Sequence, residues 1–306
     1  MKFLDVRTDF AFKKVFGSQD SKPRLISFLN AIIDFGPTGD ITDLDIVDPY
    51  NLPQLKGMKD TFVDVKAVLQ DNSTVIIEMQ VLNHPGFENR VLYNTAKNYS
   101  TQLVKGQRYD LLKPVIALTI VNFDMFKDNQ ELINYFKVLN KKDFSLYSHD
   151  IELIFVELNK FHKSQEQCTG IQDDWIYFLK NAGSLSVIPK DIPATVETAY
   201  DVSNEAGMSP EELELQYKKQ EFIAVQTSAL QQASDNGLRQ GLEKGRAEGR
   251  EEGREEGREE GREEGRHHEK IAIATTLFKQ GLDINTIAVA TGLSLESLQQ
   301  LKQHQS

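Results

Sequence analysis

Three polar side chains lie in two runs of the chain that are mostly apolar, and their types are those of a metal-binding or acid–base site. Asp64 lies in one β-rich run, and Glu78 and Gln80 lie in the next. Side chains two residues apart on a strand share a face, so Glu78 and Gln80 are on the same side. A tight turn at residues 71–73 would pair residue 64 with residue 79 or 80 and bring the three side chains together.

The neighbours of these side chains decide what chemistry they favour. Val, Ile, Phe and Leu surround them on both runs, so a pair of carboxylates there is costly unless a cation or a hydrogen-bond donor compensates. A divalent metal ion supplies that compensation, and Mg²⁺ binds one or two carboxylates while keeping positions for water and phosphate oxygens. The spacing alone fits equally a hairpin whose polar residues lie on its wet face, and the two interpretations stay open.

The elements that position these residues are predicted from hydrophobic periodicity. Helices are expected from Thr8 or Asp9 to Phe16, after Ser21, and over 87–103. Strands are expected over 41–47, 62–69, 74–82, 115–122 and 151–158, with a turn signal at residues 71–73. Residues 172–232 are predicted to be helical, with breaks at three prolines. The pattern indicates a mixed α/β domain.

The composition restricts the classes of protein. The 306 residues carry a formal net charge of −11, which argues against a protein that coats DNA through a broad basic face. The single cysteine, Cys168, rules out a disulfide framework and any zinc site of several cysteines. The N-terminus lacks an apolar signal core, and the longest apolar stretch is too short to span a bilayer. We therefore expect a soluble, cytoplasmic protein.

Separate blocks of the sequence, in order, resemble the Rpn family of recombination-promoting nucleases, also described as PD-(D/E)XK transposases. The resemblance covers about residues 1–240. The blocks are TDFAFKKVFG at residues 8–17, Asp64, IEMQ at residues 77–80, RVLY at residues 90–93, Tyr99, QL at residues 102–103, Gly106 and Tyr109.

This resemblance implies a fold, an activity and roles for residues. The fold would be a PD-(D/E)XK restriction-endonuclease-like core, a mixed sheet flanked by helices, with a helical C-terminal extension. The activity would be Mg²⁺-dependent cleavage of phosphodiester bonds in DNA, in recombination or transposition. Asp64 and Glu78 would bind Mg²⁺, and Gln80 would orient the attacking water.

The glutamine departs from the lysine of the wider superfamily, because an amide carries no positive charge. Lys66 lies two residues from Asp64 on the same side, and Lys13 and Lys14 lie on the first predicted helix. The sequence does not choose among them, and Lys66 fits equally a solvated strand position. Asp9 has two interpretations, an additional metal ligand or an N-cap of the first helix.

Basic residues after the hairpin are candidates for contact with DNA. Arg90 and Lys97 are seven residues apart and therefore share a helix face. Such a pair could contact phosphates without reading sequence, and it could equally be the solvated face of an ordinary helix.

Three segments are predicted along the chain: a nuclease-like domain over 1–236, a repeat over 237–266 and a small helical module over 267–306. In the repeat a glycine recurs every fourth residue from Gly237 to Gly265, between glutamates and arginines. We expect a helix that contacts a partner, with a flexible charged linker as the alternative. The last segment resembles a helix-turn-helix, and Lys302 is the only basic residue on its last helix. We interpret it first as a packing or oligomerisation module and second as a DNA reader.

Two functions from different classes follow. The first is an active endonuclease that forms a homo-oligomer through residues 237–306. The second is a catalytically inactive DNA-binding or scaffold protein that keeps the nuclease fold. The presence of Asp64, Glu78 and Gln80 together favours the first.

Overall fold

The computed structural model describes residues 1–36, 39–51 and 61–303. The helices in these ranges are α1 (Asp9–Phe16), α2 (Lys22–Ile32), α3 (Phe87–Ser100), α4 (Ile171–Asn181), α5 (Ala194–Ser203), α6 (Pro210–Lys279), α7 (Ile284–Thr291) and α8 (Leu295–Gln303). The strands are β1 (Leu44–Val47), β2 (Tyr50–Asn51), β3 (Thr61–Phe62), β4 (Val65–Leu69), β5 (Thr74–Gln80), β6 (Val115–Val121), β7 (Ile133–Leu139) and β8 (Leu146–Glu157).

A six-stranded mixed sheet with the order β1-β4-β5-β6-β8-β7 forms the centre of the fold. Strands β1, β4 and β5 are antiparallel, whereas β5, β6 and β8 are parallel. Strand β6 is buried along its whole length and reads as a continuous apolar run, as expected for a parallel strand covered on both faces. The predicted α/β fold, a mixed sheet flanked by helices with a helical C-terminal extension, is confirmed.

Helices cover both faces of this sheet. On one face α1, α2, α4 and α5 pack around the fully buried Trp175, against inward-facing residues such as Val65 and Ile77. On the other face α3 packs through Phe87 and Val91 against Ile76 and its neighbours. Alternate residues of β5 therefore belong to different cores, and its C-terminal end carries the polar residues.

The β4–β5 hairpin forms as predicted, but its register differs from our expectation. Val68 pairs with Thr74 and Val65 pairs with Ile77, which brings residue 64 level with residue 78 rather than with 79 or 80. The turn starts earlier than expected: the N–H of Leu69 donates to the carbonyl of Ser73, and Asn72 takes a left-handed conformation with φ of 66°. Asp64 is thus level with Glu78 itself.

Strand β7 was not predicted from the sequence. It pairs with β8 alone at the edge of the sheet and is largely exposed, so it lacks the alternating burial that marks a half-buried strand. Strand β8 also starts at Leu146, five residues before the predicted start.

The first helix is capped by Thr8, whose hydroxyl accepts a hydrogen bond from the N–H of Ala11 at 3.3 Å. The same hydroxyl donates to Oε1 of the buried Gln216 at 2.7 Å, and Lys14 contacts Glu212. The start of α6 is therefore fastened to α1.

The chain divides into two compact units, Met1–Ala229 and Leu230–Ser306. The Gly-Arg-Glu-Glu repeat is helical throughout, inside the 70-residue helix α6. In the second unit, Ala274, Ile287, Leu293 and Leu298 form a small core where the end of α6 meets α7 and α8. Helix α7 is capped by Asp283 and ends at Gly292, which has a φ of 65°. Throughout residues 1–36, 39–51 and 61–303, each helix is too short or too polar to cross a membrane.

Candidate active site

Asp64 lies just before β4, where the chain bends out of the strand. Its backbone N–H donates to the carbonyl of Ile77 at 3.0 Å, which ties it to the neighbouring strand. One carboxylate oxygen, Oδ2, accepts a hydrogen bond from the N–H of Met79 at 2.8 Å. The other, Oδ1, lies 3.5 Å from Nζ of Lys13 on α1. Two elements thus hold this largely buried carboxylate at the end of β5.

Glu78 and Gln80 lie on β5, and one residue of α3 contacts both. The guanidinium of Arg90 forms an ion pair with Oε1 of Glu78. The same nitrogen, Nη2, donates to Oε1 of Gln80 at 2.8 Å. The amide nitrogen of Gln80 donates to the carbonyl of Leu82 at 2.7 Å, so both ends of this side chain are held.

Both carboxylates resist ionisation. Burial raises the pKa of Asp64 against the opposing effects of the Met79 N–H and of Lys13. Burial also raises the pKa of Glu78, and the negative charge of Asp64 raises it further, although Arg90 lowers it. The two groups are therefore within electrostatic reach of each other, and their present cations compensate only part of the cost of burying them.

This donor set fits a hard divalent cation. The two carboxylates are oxygen ligands, which Mg²⁺ prefers, and a bound cation would offset the burial that raises the pKa of both. The described parts of the chain contain no cluster of three or more His, Cys, Asp or Glu side chains that could hold a metal ion. A site of two carboxylates leaves the remaining positions to water and substrate.

The structure brings two cations to these carboxylates, and Lys66 is not one of them. Lys13 lies beside Asp64, and Arg90 contacts Glu78. Burial lowers the pKa of Lys66, and the negative charge of Asp48 opposes this shift. Lys13 is one of the cations that the sequence offers for this role, whereas the spacing of Arg90 predicts only a contact with DNA. The sequence signal for this role of Arg90 is the block RVLY at residues 90–93, which begins twelve residues after Glu78.

Asp9 lies close to the site but has another partner. Lys219 of α6 lies 3.1 Å from its carboxylate, and the negative charge of Asp9 contributes to the raised pKa of Asp64. The expected alternative role as N-cap is wrong, because Thr8 caps the helix and Asp9 occupies the first helical position.

Arg90 and Lys97 do not share an exposed face of α3. The side chain of Arg90 is accessible at the site, whereas Lys97 is only 4% exposed. A lysine buried to this degree is not available as a surface contact for phosphates, which corrects the expectation drawn from their spacing. Helical spacing alone could not show which face of α3 the sheet covers.

Two family models match this chain. Residues 6–233 match the model of the PD-(D/E)XK nuclease family transposases. Residues 267–303 match the C-terminal helix-turn-helix domain of the Rpn/YhgA-like nuclease family. Neither the comparison with curated proteins nor that with solved structures found a match. Since the first match covers most of the chain and includes Asp64, Glu78 and Gln80, the chain belongs to the PD-(D/E)XK nuclease family transposases.

Proposed function

We propose that this protein is an Mg²⁺-dependent DNA endonuclease that acts in recombination or transposition. The observation that carries the proposal is the position of Asp64 level with Glu78, both largely buried and both with a raised pKa. Perturbed carboxylates held together at the end of a strand are typical of sites that bind a metal ion and act on phosphate esters. Membership of a nuclease family supports the same activity.

Asp64 and Glu78 are the residues that would hold the metal ion. Bound Mg²⁺ supplies charge neutralisation at the phosphate and a lowered pKa of water. The N–H of Met79 and the side chain of Lys13 keep the Asp64 carboxylate in place. Gln80 holds Arg90 through its amide oxygen and keeps one amide hydrogen for a water molecule or a phosphate oxygen.

We further propose that Arg90 and Lys13 together replace the missing lysine. Arg90 offers several N–H donors in a planar group that matches phosphate, and its side chain is accessible. Lys13 is half-exposed beside Asp64. Lys66 is the weaker candidate, because Lys13 and Arg90 are the cations that contact the two carboxylates.

The partner in this proposal is DNA. The family match of residues 267–303 to a helix-turn-helix domain supports a second contact with DNA through the C-terminal unit. Since α8 carries Glu296 and only one lysine, Lys302, the contribution of nonspecific phosphate binding from that helix is small. We place this activity in the cytoplasm, where Mg²⁺ and DNA are both present.

We also propose that residues 237–306 form a homo-oligomer. Residues 227–270 of α6 are exposed along the helix, although an isolated helix with a glycine at every fourth position is disfavoured by its own propensity. A methyl group built on any glycine from Gly237 to Gly265 meets no atom within 4 Å, so packing within the chain gives no reason for them. A second copy that approaches along this face would give one.

A cleavage assay on supercoiled plasmid tests the nuclease. The full-length protein is incubated with Mg²⁺ or with EDTA beside Asp64→Asn and a control, Glu88→Gln, which changes an exposed carboxylate on α3. We expect nicking that requires Mg²⁺, a loss of at least about a hundredfold in Asp64→Asn, and unchanged nicking in the control. Absence of nicking by the parent with both Mg²⁺ and Mn²⁺ would favour the inactive scaffold instead.

A further inference from the structure

A cleft of about 770 Å³ opens beside the carboxylate pair, between α3 and the short strand β3. Glu78 and Arg90 form one side of it, so the cleft is continuous with the candidate active site. Its volume lies in the range of sites that hold a small organic molecule, and it is large enough for one nucleoside. The proposed mechanism does not use this space.

Two aromatic rings on the walls of the cleft are open to solvent. Phe62 is 64% exposed, although its ring is stacked against that of Tyr50 with centroids 4.5 Å apart and planes at 25°. Tyr93, one turn along α3 from Arg90, is 41% exposed. Phe62 is thus a supported ring that stays open to solvent. Flat aromatic surfaces of this kind bind nucleobases by stacking, whichever base is presented.

Two buried polar groups also line the cleft. Asn94 is 2% exposed and Thr61 is 6% exposed. Neither Oδ1 of Asn94 nor Oγ1 of Thr61 has a hydrogen-bond partner in the described part of the structure. Buried polar atoms are nearly always satisfied, and a rotation of either side chain toward the cleft would let it bind a ligand with polar edges. An amide oxygen accepts and a hydroxyl both donates and accepts, which suits the edge of a base.

From these observations we propose that the cleft binds one unpaired nucleobase of the DNA strand, adjacent to the phosphate held at Asp64 and Glu78. The position of the base relative to the cleaved bond rests on the proposed nuclease function, whereas base binding itself does not. Arg90 contacts the phosphate side of the nucleotide, and the rings of Phe62 and Tyr93 contact its base. A base must leave the double helix to enter the cleft, which is easiest where it is already unpaired.

The proposal therefore predicts a preference for DNA with an unpaired nucleotide over fully paired DNA. Phe62 and Tyr93 are the residues that determine this preference. The C-terminal unit, if it binds a duplex, contributes equally to both kinds of DNA and does not produce the difference.

Binding is measured by fluorescence anisotropy with the full chain carrying Asp64→Asn, in Ca²⁺, so that no cleavage occurs. The probes are a labelled duplex with a one-nucleotide bulge, the same duplex with an abasic bulge, and the fully paired duplex. Added to this background, Phe62→Ala or Tyr93→Ala should weaken binding to the bulged duplex about tenfold. Binding to the paired duplex and to the abasic bulge should change less than twofold.

Matched controls lie outside the cleft. Phe144→Ala and Tyr109→Ala remove exposed rings elsewhere and should leave all three affinities unchanged. Tyr93→Phe keeps the ring and should bind the bulged duplex like the parent, which separates stacking from loss of folding.

Equal affinity of the parent for bulged and paired DNA would overturn the proposal. So would equal loss on all probes in the ring variants, or failure to bind any of the three DNAs. These outcomes are independent of the plasmid assay. Base-dependent binding by a protein that does not nick plasmid would retain the cleft and reject the nuclease, and nicking without base-dependent binding would do the reverse.

Discussion

Nη2 of Arg90 donates to Oε1 of Gln80 at 2.8 Å and also contacts the Glu78 carboxylate, so that α3 supplies a cation to the end of β5. A Glu-x-Gln pair on a strand lacks a positive charge of its own. Here helix α3 provides the positive charge through Arg90. The charge lies at Glu78, the residue that would also bind a metal ion. A metal ion bound at Glu78 would therefore compete with the guanidinium for this carboxylate.

The competition gives a prediction for Arg90. Arg90→Ala should lower the maximal rate of plasmid cleavage by about a hundredfold, because the donor that we propose for the phosphate is lost. It should also lower the Mg²⁺ concentration that gives half of that rate, because Glu78 is freed. Arg90→Lys keeps the charge and should recover part of the rate. The measurement is a metal titration of the initial cleavage rate.

The control for this experiment is Arg108→Ala, which removes an exposed guanidinium paired with Asp110 away from the site. Its rate and metal dependence should match those of the parent. An Arg90→Ala variant that needs more Mg²⁺ than the parent would contradict the competition.

The pH dependence of cleavage follows from the two carboxylates. Burial raises the pKa of both Asp64 and Glu78, and both must be ionised to bind a metal ion. The rate should therefore fall as the pH is lowered, starting at a higher pH than ordinary carboxylates would give. With two groups involved, the logarithm of the rate should change by more than one per pH unit on the acid side.

Variants of the neighbouring cations test whether Asp64 and Glu78 cause the fall in rate at low pH, which is the acid limb of the pH profile. Lys13 lowers the pKa of Asp64 and Arg90 lowers that of Glu78. Lys13→Ala and Arg90→Ala should each move the acid limb to higher pH in a profile measured at one fixed Mg²⁺ concentration below saturation. A shift to lower pH in either variant would show that other groups control the rate.

The same raised pKa has a consequence for stability. A carboxylate with a higher pKa in the folded chain binds its proton more tightly there than in the unfolded chain. The free energy of unfolding therefore falls as the pH rises from the unfolded pKa of Asp64 to its folded pKa, and it stays lower above that. Asp64→Asn removes this penalty and should raise Tm at neutral pH while cleavage is lost.

The higher Tm of Asp64→Asn should disappear when the pH falls below the ordinary pKa of an aspartate. Thermal unfolding of the full chain in EDTA at several pH values measures it. Asp143→Asn is the matched control of opposite sign, because hydrogen bonds from Ser145 lower the pKa of this exposed turn residue. It should not raise Tm at neutral pH. An Asp64→Asn variant less stable than the parent at neutral pH would contradict the argument.

Substitution of the repeat glycines of α6 distinguishes a lone helix from a helix that packs against a second copy. Alanine at four of the repeat positions should strengthen a lone helix by about 1 kcal/mol per substitution and leave the mass of the particle unchanged. If a second copy packs closely along the glycines, the added methyl groups should reduce the subunit count instead. We expect the reduction, measured by light scattering, for the combined variant Gly249→Ala, Gly253→Ala, Gly257→Ala and Gly261→Ala.

A control for the repeat introduces the same number of alanines while retaining every glycine: Glu252→Ala, Glu256→Ala, Glu260→Ala and Glu264→Ala. Its subunit count should equal that of the parent. If the parent is a monomer, or if the glycine variant keeps the parent's mass, oligomerisation through this face is excluded.

Much of this architecture is determined by local sequence. The periodicity of apolar residues predicted α1 to α3, the β4–β5 hairpin and strand β6, because the burial of one helical stripe or strand face leaves a regular trace. Thr8 was one of two candidate caps, and the prolines marked the breaks before α5 and α6 correctly. Strand β7 is rich in residues that favour strands but shows no alternation of buried and exposed positions, because it pairs on one side only and stays exposed.

The candidate site was predictable as a set of residue types, and tertiary structure decided how they meet. Asp64, Glu78 and Gln80 were identifiable from their types, their spacing and the resemblance to a nuclease family. Their register, the contact of Arg90 with Glu78, and the burial of Lys97 were not, since each depends on how β5 and α3 pack. Desolvation and ion pairing are properties of that packing, and they determine which carboxylates are perturbed and which cations reach them.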